Sequence, residues 1–168
     1  IAVVCAALSY QHPRLAALAN NVSTVGLTIP SFALVGILII PFGFGVLPAV
    51  IVVTFFATLP ILRNAVVGLS EVDSNIVSAA RGIGMSRLDT FFRVGLPLAW
   101  PVILAGMRVS AQMTMGIAAV AAYALGPGLG GYIFSGLSRL GGANSFESVA
   151  TGVIAVVILA LLLDLALI

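Results

Sequence analysis

Charge is what this 168-residue sequence has least of: only 7% of its residues are charged, and lysine is absent altogether. Soluble domains carry roughly a quarter charged residues, which cover their surface. Twelve charged side chains cannot cover a chain in which 61% of the residues are hydrophobic. The composition therefore excludes an ordinary soluble enzyme, a disordered segment and a nucleic-acid-binding domain. It predicts that lipid surrounds most of the protein.

Residues that carry chemistry are also scarce. Cys5 is the only cysteine and His12 the only histidine, so neither an internal disulfide nor a metal site is predicted. Without lysine the chain has no phosphate-binding loop of the usual kind, and we expect no ATP hydrolysis by the chain itself. We therefore predict no catalytic residues, no metal and no cofactor in this chain, which is not expected to be an enzyme.

Long runs without charge define the predicted membrane spans. The longest run, 15–62, has 48 residues and would extend roughly 70 Å as a helix, about twice the thickness of a membrane core. Pro41 and the glycines that follow it mark a turn inside this run. Four spanning helices are predicted, preceded by the end of a fifth before Ser9: 15–40, 47–67, 99–123 and 146–168. The expected fold is an all-α, polytopic transmembrane helical bundle of about five spans, the first truncated, forming one domain over 1–168.

The segment 68–95 is a polar loop that carries half of all the charges in the chain. Asp73 or Ser74 is predicted to cap a short helix that runs through Ala80, and Gly82 and Gly84 are predicted to end that helix. Ser86 with Asp89 resembles a capping box that opens a second short helix. A glycine-rich stretch, 126–142, is expected to be a gate, a docking surface or a flexible connection.

The distribution of arginine predicts how the chain is oriented in the membrane. Five arginines lie on the side of the 68–97 loop, namely Arg14, Arg63, Arg81, Arg87 and Arg93. The opposite side holds only Arg139, while Arg108 is placed within a span. Because positive residues concentrate on the cytoplasmic side, we expect the loop to be cytoplasmic in a bacterial inner-membrane protein.

The loop also contains a spaced motif. Ser78-Ala79-Ala80 is followed by three residues, Gly84, nine residues, and then Val94-Gly95-Leu96-Pro97. This resembles the EAA loop in the membrane-spanning subunits of type I ABC importers, which has E-A-A, three residues, G, nine residues and I-x-L-P. Ser78 in place of glutamate and Val94 in place of isoleucine are the two departures. The departure at Ser78 removes any contact that the family's glutamate makes.

Segments outside the loop extend the resemblance over nearly the whole chain. They are similar to the glycine betaine, carnitine and choline, or osmoprotectant, branch of these permeases. The segments are 30–34, 43–49, 59–64, 79–85 and 125–130. Methionine and sulfonate permeases share the loop but match these segments less well, and they stay as alternatives. A stand-alone channel or a secondary transporter is the other alternative, although a carrier of ions would favour carboxylates at mid-membrane.

The resemblance implies a permease subunit that forms a translocation path and is driven by partner proteins. These partners are ATPase subunits that bind ATP and Mg²⁺, a second permease subunit, identical or a sibling, and an extracytoplasmic substrate-binding protein. The lipid bilayer is a further partner, and no nucleic acid is expected. The residues expected to couple the permease to the ATPase lie in the loop: Ser78, Ala79, Ala80, Arg81, Gly82, Gly84, Leu96 and Pro97.

Polar residues within the spans are candidates for the translocation path. Asn20, Thr24, Thr28 and Ser31 recur at helical spacing, which predicts one polar face on the 15–40 helix. Gln112, four residues after Arg108, is a further candidate. Such residues either line a path or form hydrogen bonds between packed helices, and the sequence leaves both interpretations open.

Overall fold

A computed structural model describes residues 1–125 and 128–167. Within those ranges the ordered elements are helices, and no strand occurs. The α-helices are α1 Ala2–Ser9, α2 Pro13–Leu27, α3 Ser31–Phe42, α4 Val46–Ser70, α5 Ser74–Gly82, α6 Arg87–Thr90, α7 Leu96–Leu125, α8 Leu129–Ser138 and α9 Ser145–Ala166. A π-helical turn, Phe91–Gly95, joins α6 to α7.

Three helical stretches in the described residues are long and apolar enough to cross a membrane: Val46–Ser70, Arg87–Ala124 and Ser145–Ala166. A bent pair, α2 with α3, raises the number to four if the pair counts as one span. The predicted helices 47–67, 99–123 and 146–168 are therefore confirmed, with Ile168 outside the described residues. The all-α, multi-span fold class is confirmed with them.

The predicted continuous helix over 15–40 is wrong, because α2 ends at Leu27 and α3 begins at Ser31. Pro30 has an extended backbone with φ −62° and ψ 119°. Proline cannot donate a backbone hydrogen bond, and it disfavours helical geometry at the residue before it. Pro30 therefore breaks the helix that the sequence analysis predicted to be continuous.

The beginning of the third span also differs from the prediction. Instead of starting afresh near Ala99, the helix continues from Arg87 through the π-turn into α7. Pro97 stands in the first turn of α7, immediately after the π-turn. Its ring would collide with the carbonyl group one helical turn earlier and it has no N–H to donate. A widened π-turn before the proline removes this conflict without ending the helix.

The chain divides into two compact units. The first unit comprises residues 1–26 and 58–109 and therefore contains the polar loop. Its core is a cluster of small and branched apolar side chains contributed by α1, α4 and α7. The buried members are Ala6, Ala65, Val66, Leu69, Ala99 and Ile103. The expected single domain over 1–168 stays a prediction.

The second unit comprises residues 27–57 and 110–168 and includes the pair formed by α8 and α9. Glycines let these helices approach closely. A Cβ at Gly136 would lie 2.6 Å from Val149 Cγ2, and one at Gly152 would lie 2.7 Å from Ile133 Cγ1. Much of the stretch 126–142, for which a gate, a docking surface or a flexible connection was expected, is therefore a packed helix. Gly126 and Pro127 lie outside the described residues.

Candidate coupling loop

The first helix of the polar loop begins at a side-chain cap. Asp73 has a non-helical backbone and its Oδ1 accepts a hydrogen bond of 2.8 Å from the backbone N–H of Asn75. The first N–H groups of a helix have no partner within the helix, and an aspartate at this position satisfies one of them. The predicted cap is confirmed, and α5 starts directly after it.

The same helix ends at a glycine turn. Gly84 has φ +90°, a conformation that side chains with a Cβ rarely adopt. The N–H of Met85 donates to the carbonyl of Ala80 at 3.2 Å, and the N–H of Gly84 donates to the carbonyl of Arg81 at 2.9 Å. This pair of bonds is the Schellman arrangement, in which a glycine reverses the chain after a helix. The predicted turn at Gly84 is confirmed.

The second helix of the loop opens at Ser86. Its Oγ accepts a hydrogen bond of 3.1 Å from the backbone N–H of Asp89, while its hydroxyl donates to the Asp89 carboxylate at 2.5 Å. Asp89 therefore reaches the side chain of the capping residue, whereas the glutamate of a full capping box reaches its backbone N–H. The two loop helices are thus each fixed at their start by a polar side chain.

The residues predicted to couple to an ATPase differ in exposure. Exposed are Ser78, Ala79, Arg81, Gly82, Gly84 and Pro97, whereas Leu96 is half-buried. Ala80 is buried, with only 7% of its surface accessible. Ala80 therefore packs inside the chain, and Ser78, Ala79 and Gly82 form a surface of small residues that a partner can touch. We call these three residues the α5 face.

The loop is joined to two helices that pack tightly within the first unit. A Cβ at Gly68 on α4 would lie 3.0 Å from Val102 Cβ and 3.1 Å from the carbonyl oxygen of Ala99 on α7. A Cβ at Gly106 on α7 would lie 2.6 Å from Asn64 Cβ on α4. Small residues permit such close helix contacts in membranes. A displacement of the loop would therefore move the adjoining parts of α4 and α7 together.

The predicted path residues do not share one helical face, because the helix that was to carry them is broken. Asn20 and Thr24 lie on α2 in the first unit, where Thr24 Oγ1 donates to the Asn20 carbonyl at 2.9 Å. Thr28 lies in the break, Ser31 begins α3, and Gln112 is exposed on α7. Asn20 Oδ1 is buried without a hydrogen-bond partner in the part of the chain that is described. Their role in a translocation path stays a prediction.

The sequence analysis did not predict that Arg87 and Gln11 belong to a site. Both line a polar cavity beside the loop helices, together with Arg81. Arginine at a helix start and glutamine in a short polar break are too common for the sequence alone to indicate a shared cavity. Only the packing of α1 beside the loop brings them together.

Comparison with known proteins places the chain among transport proteins. Residues 1–167 match the family described as the binding-protein-dependent transport system inner membrane component. The chain belongs to this family of permease components.

Several relatives of this permease component have names that state what they transport. The carnitine transport permease protein OpuCB of Listeria monocytogenes is 36% identical over 99% of the chain and 75% of the relative. The choline transport system permease protein OpuBB of Bacillus subtilis is 39% identical over 82% of the chain and 61% of the relative. The osmoprotectant import permease protein OsmW of Salmonella typhimurium is 36% identical over 98% of the chain and 77% of the relative.

These relatives confirm the resemblance to the osmoprotectant branch. The permease component spans 61% to 77% of the length of these three proteins. Membership of an inner-membrane family agrees with the spanning helices α4, α7 and α9. The chain is therefore a multi-pass inner-membrane transport component.

Proposed function

We propose that the chain is part of the permease subunit of an ATP-driven importer of quaternary-ammonium osmoprotectants such as glycine betaine, carnitine or choline. The observation that carries this proposal is the α5 face. It presents small exposed residues on a short helix that is capped at its start and reversed at its end by Gly84. Its relatives are named as permeases for carnitine, choline and osmoprotectants.

In this proposal the 68–97 loop faces the cytoplasm and α5 docks into a groove of an ATPase subunit. ATP and Mg²⁺ are bound and ATP is hydrolysed in that partner, since this chain has no lysine with which to build a phosphate-binding loop. A second permease subunit completes the path, and an extracytoplasmic protein delivers the substrate. Five arginines on the loop side against Arg139 on the other support the orientation.

The proposed mechanism is a mechanical transfer of motion. Closure of the ATPase subunits would displace α5, and the tight contacts at Gly68 and Gly106 would carry that displacement into α4 and α7. A rigid connection of this kind lets a small shift at one end change the access of a path elsewhere, because tightly packed helices move as bodies. Ala80 supports α5 from inside the chain, and the α5 face makes the contact.

Co-purification of the full-length protein from mild detergent tests the coupling. Ala79→Trp places a large side chain on the α5 face, and we expect it to abolish recovery of the ATPase subunit. Ala143→Trp makes the same change at an exposed position outside the 68–97 loop and serves as the control. Loss of the ATPase with both variants, or with neither, would contradict docking through α5. Absence of any ATPase with the wild type would instead favour a stand-alone channel or secondary transporter.

Uptake measurements test the substrate class. Cells that carry the full-length permease with its ATPase and binding protein should accumulate labelled glycine betaine, carnitine or choline at high external osmolarity. Unlabelled methionine and an alkyl sulfonate should not compete. Competition by methionine or the sulfonate, together with no uptake of any of the three osmoprotectants, would assign the permease to another small solute.

A further inference from the structure

A polar cavity of about 390 Å³ lies in the first unit, beside the end of α4. Side chains from the turn after α1, from α4 and from the loop helices line it. Its polar lining residues are Tyr10, Gln11, Ser70, Ser74, Thr90, Arg81 and Arg87. The lining thus offers two guanidinium groups, four hydroxyl groups and an amide, and it contains no carboxylate.

The two arginines of this cavity are not ion-paired in the part of the chain that the structure describes. Among the described residues, neither Arg81 nor Arg87 forms an ion pair, whereas Arg93 is paired with Asp89 at 3.5 Å. The Gln11 amide donates to the Tyr10 hydroxyl at 2.8 Å within the same lining. Arginine recognises phosphate groups through several parallel N–H donors. The lining is therefore complementary to a phosphate group.

An apolar groove of about 380 Å³ adjoins the polar cavity. Tyr10, Gln11, Arg87 and Phe91 line both spaces, so the two are neighbours. Beyond these shared residues the groove is apolar throughout, with walls from α1 and from the helix that starts at Arg87. The apolar lining residues are Val3, Val4, Ala7, Leu8, Leu88, Phe92 and Leu96.

The direction of the groove matches the membrane. Its polar end lies beside Leu69 and Ser70, where the spanning helix α4 finishes. From there it follows the next spanning helix from Leu88 to Leu96. The groove therefore starts at the end of one candidate span and runs along the beginning of the next. Leu88 is 71% exposed in the chain, so this apolar wall is open to whatever surrounds it.

We propose that the polar cavity and the apolar groove together bind one anionic phospholipid, with its phosphate on Arg81 and Arg87 and an acyl chain along Leu88, Phe92 and Leu96. Because the cavity and the groove share lining residues, a headgroup in the cavity and an acyl chain in the groove can belong to one molecule. A free phosphate ion would use the arginines but leave the groove empty. A zwitterionic lipid would carry its own cation into a cavity that already holds two positive charges.

Native mass spectrometry of the full-length protein tests this site. The protein is purified in detergent that contains equal amounts of phosphatidylglycerol and phosphatidylcholine, and retained lipids are counted after gentle removal of the detergent. We expect phosphatidylglycerol to be retained in preference to phosphatidylcholine. Arg87→Gln should lower that retention about tenfold, because it removes a charge-assisted hydrogen bond to the phosphate. Arg93→Gln is the matched control, since Arg93 lies on the same helix but lines neither space.

A second pair of measurements separates a lipid from a free phosphate. Ala7→Phe fills the apolar groove and keeps both arginines in the sequence, and it should also lower the retention of phosphatidylglycerol. Inorganic phosphate at millimolar concentration should not displace the lipid. If phosphate displaces it and Ala7→Phe has no effect, the ligand is a free phosphate and the proposal is wrong. Circular dichroism of each variant establishes that the helices remain folded.

Three other outcomes would also overturn the proposal. Equal retention by Arg87→Gln and Arg93→Gln would remove the arginine from the site. Equal retention of the two lipids by the wild type would remove the preference for negative charge. Failure of the wild type to retain phosphatidylglycerol, with loss of the ATPase subunit in Arg87→Gln, would assign the cavity to a protein partner. None of these results depends on which solute the transporter carries.

Discussion

The two units of the chain differ in the interactions that stabilise each of them internally. The first unit contains nine of the twelve charged side chains and all the polar helix caps described above, whereas the second contains only Arg139, Glu147 and Asp164. In the second unit, closely packed glycines on α8 and α9 replace polar caps. The first unit therefore combines close packing of α4 and α7 with directional hydrogen bonds in its loop, whereas the helices of the second unit depend on the fit of apolar surfaces.

The difference follows from the surroundings that we propose for each part of the chain. The polar loop would face water, and the spanning helices would face lipid. A loop exposed to water must fix its own backbone, because water competes for every hydrogen bond it makes. Helices surrounded by lipid gain little from burying apolar surface and are held instead by close contact. Substitutions that disturb packing should accordingly have the largest effects, and substitutions that disturb caps should have moderate effects confined to the loop.

The largest effect is expected at Gly130 on α8. A Cβ there would collide with the carbonyl oxygen of Ala119 and would lie 2.6 Å from Ala122 Cβ. Because the obstacle is backbone on α7, it cannot rotate away, and Gly130→Ala should destabilise the protein by about 3 kcal/mol. Thermal unfolding in detergent, followed by circular dichroism, measures the loss.

Gly116→Ala is the matched control for this substitution. Gly116 is exposed within α7 of the same unit, and a Cβ there would have no neighbour within 4 Å. The same chemical change should therefore stabilise the helix by about 0.5–1 kcal/mol. Equal effects at Gly116 and Gly130 would show that helix propensity, rather than close packing, governs the second unit.

Gly84 should give the next largest effect, for a conformational reason. A Cβ at Gly84 would have no neighbour within 4 Å, but its φ of +90° strains any residue other than glycine. Gly84→Ala should cost about 1–2 kcal/mol and loosen the end of α5. Hydrogen exchange of the Gly84 and Met85 amides measures this directly, since both donate to α5 carbonyls. Gly82→Ala, at an open position without positive φ, should leave their exchange unchanged.

The cap at Asp73 is expected to contribute about 1 kcal/mol. Asp73→Ala removes the acceptor for the Asn75 N–H and leaves the first turn of α5 without its side-chain partner. Faster hydrogen exchange over the first turn of α5, with α9 unchanged, is the expected result. Ser74→Ala is the control, because it tests the sequence alternative that Ser74 is the cap. A larger effect at Ser74 than at Asp73 would contradict the structural assignment.

Local signals explain why the loop was predicted so well. Asp73, Gly84 and the pair Ser86 and Asp89 act on backbone groups within a few residues of themselves. Their chemistry therefore specifies the start and end of α5 and the start of α6 without knowledge of the fold. The sequence does not predict which loop positions a partner could contact. Ala79 is exposed and Ala80 is buried, but the sequence shows only two adjacent alanines.

Predictions from the sequence fail where packing overrides the local conformational preference of the residues. Gly130 and Gly136 favour a loop in isolation, yet the contacts of α8 with α7 and α9 make a helix of residues 129–138. At Pro30 the sequence signal was present but its strength was underestimated, since a proline in a long apolar run is compatible with either a kink or a break. Arg87 lines the groove only because α1, which is distant in sequence, packs beside it.

The smallest effect is expected at the exposed ion pair of the loop. Arg93 Nε lies 3.5 Å from Asp89 Oδ1, with 76% and 47% of the two side chains exposed. Water and salt screen such a pair, so Arg93→Gln should cost only about 0.3 kcal/mol. Asp89→Asn should cost more, because that carboxylate also accepts the Ser86 hydroxyl hydrogen bond. Chemical unfolding of both variants, at low and high salt, distinguishes the two contributions. If Arg93→Gln proved as costly as Asp89→Asn, the polar loop would depend on charge pairing as well as on caps, and Arg93 would no longer be a neutral control for Arg87.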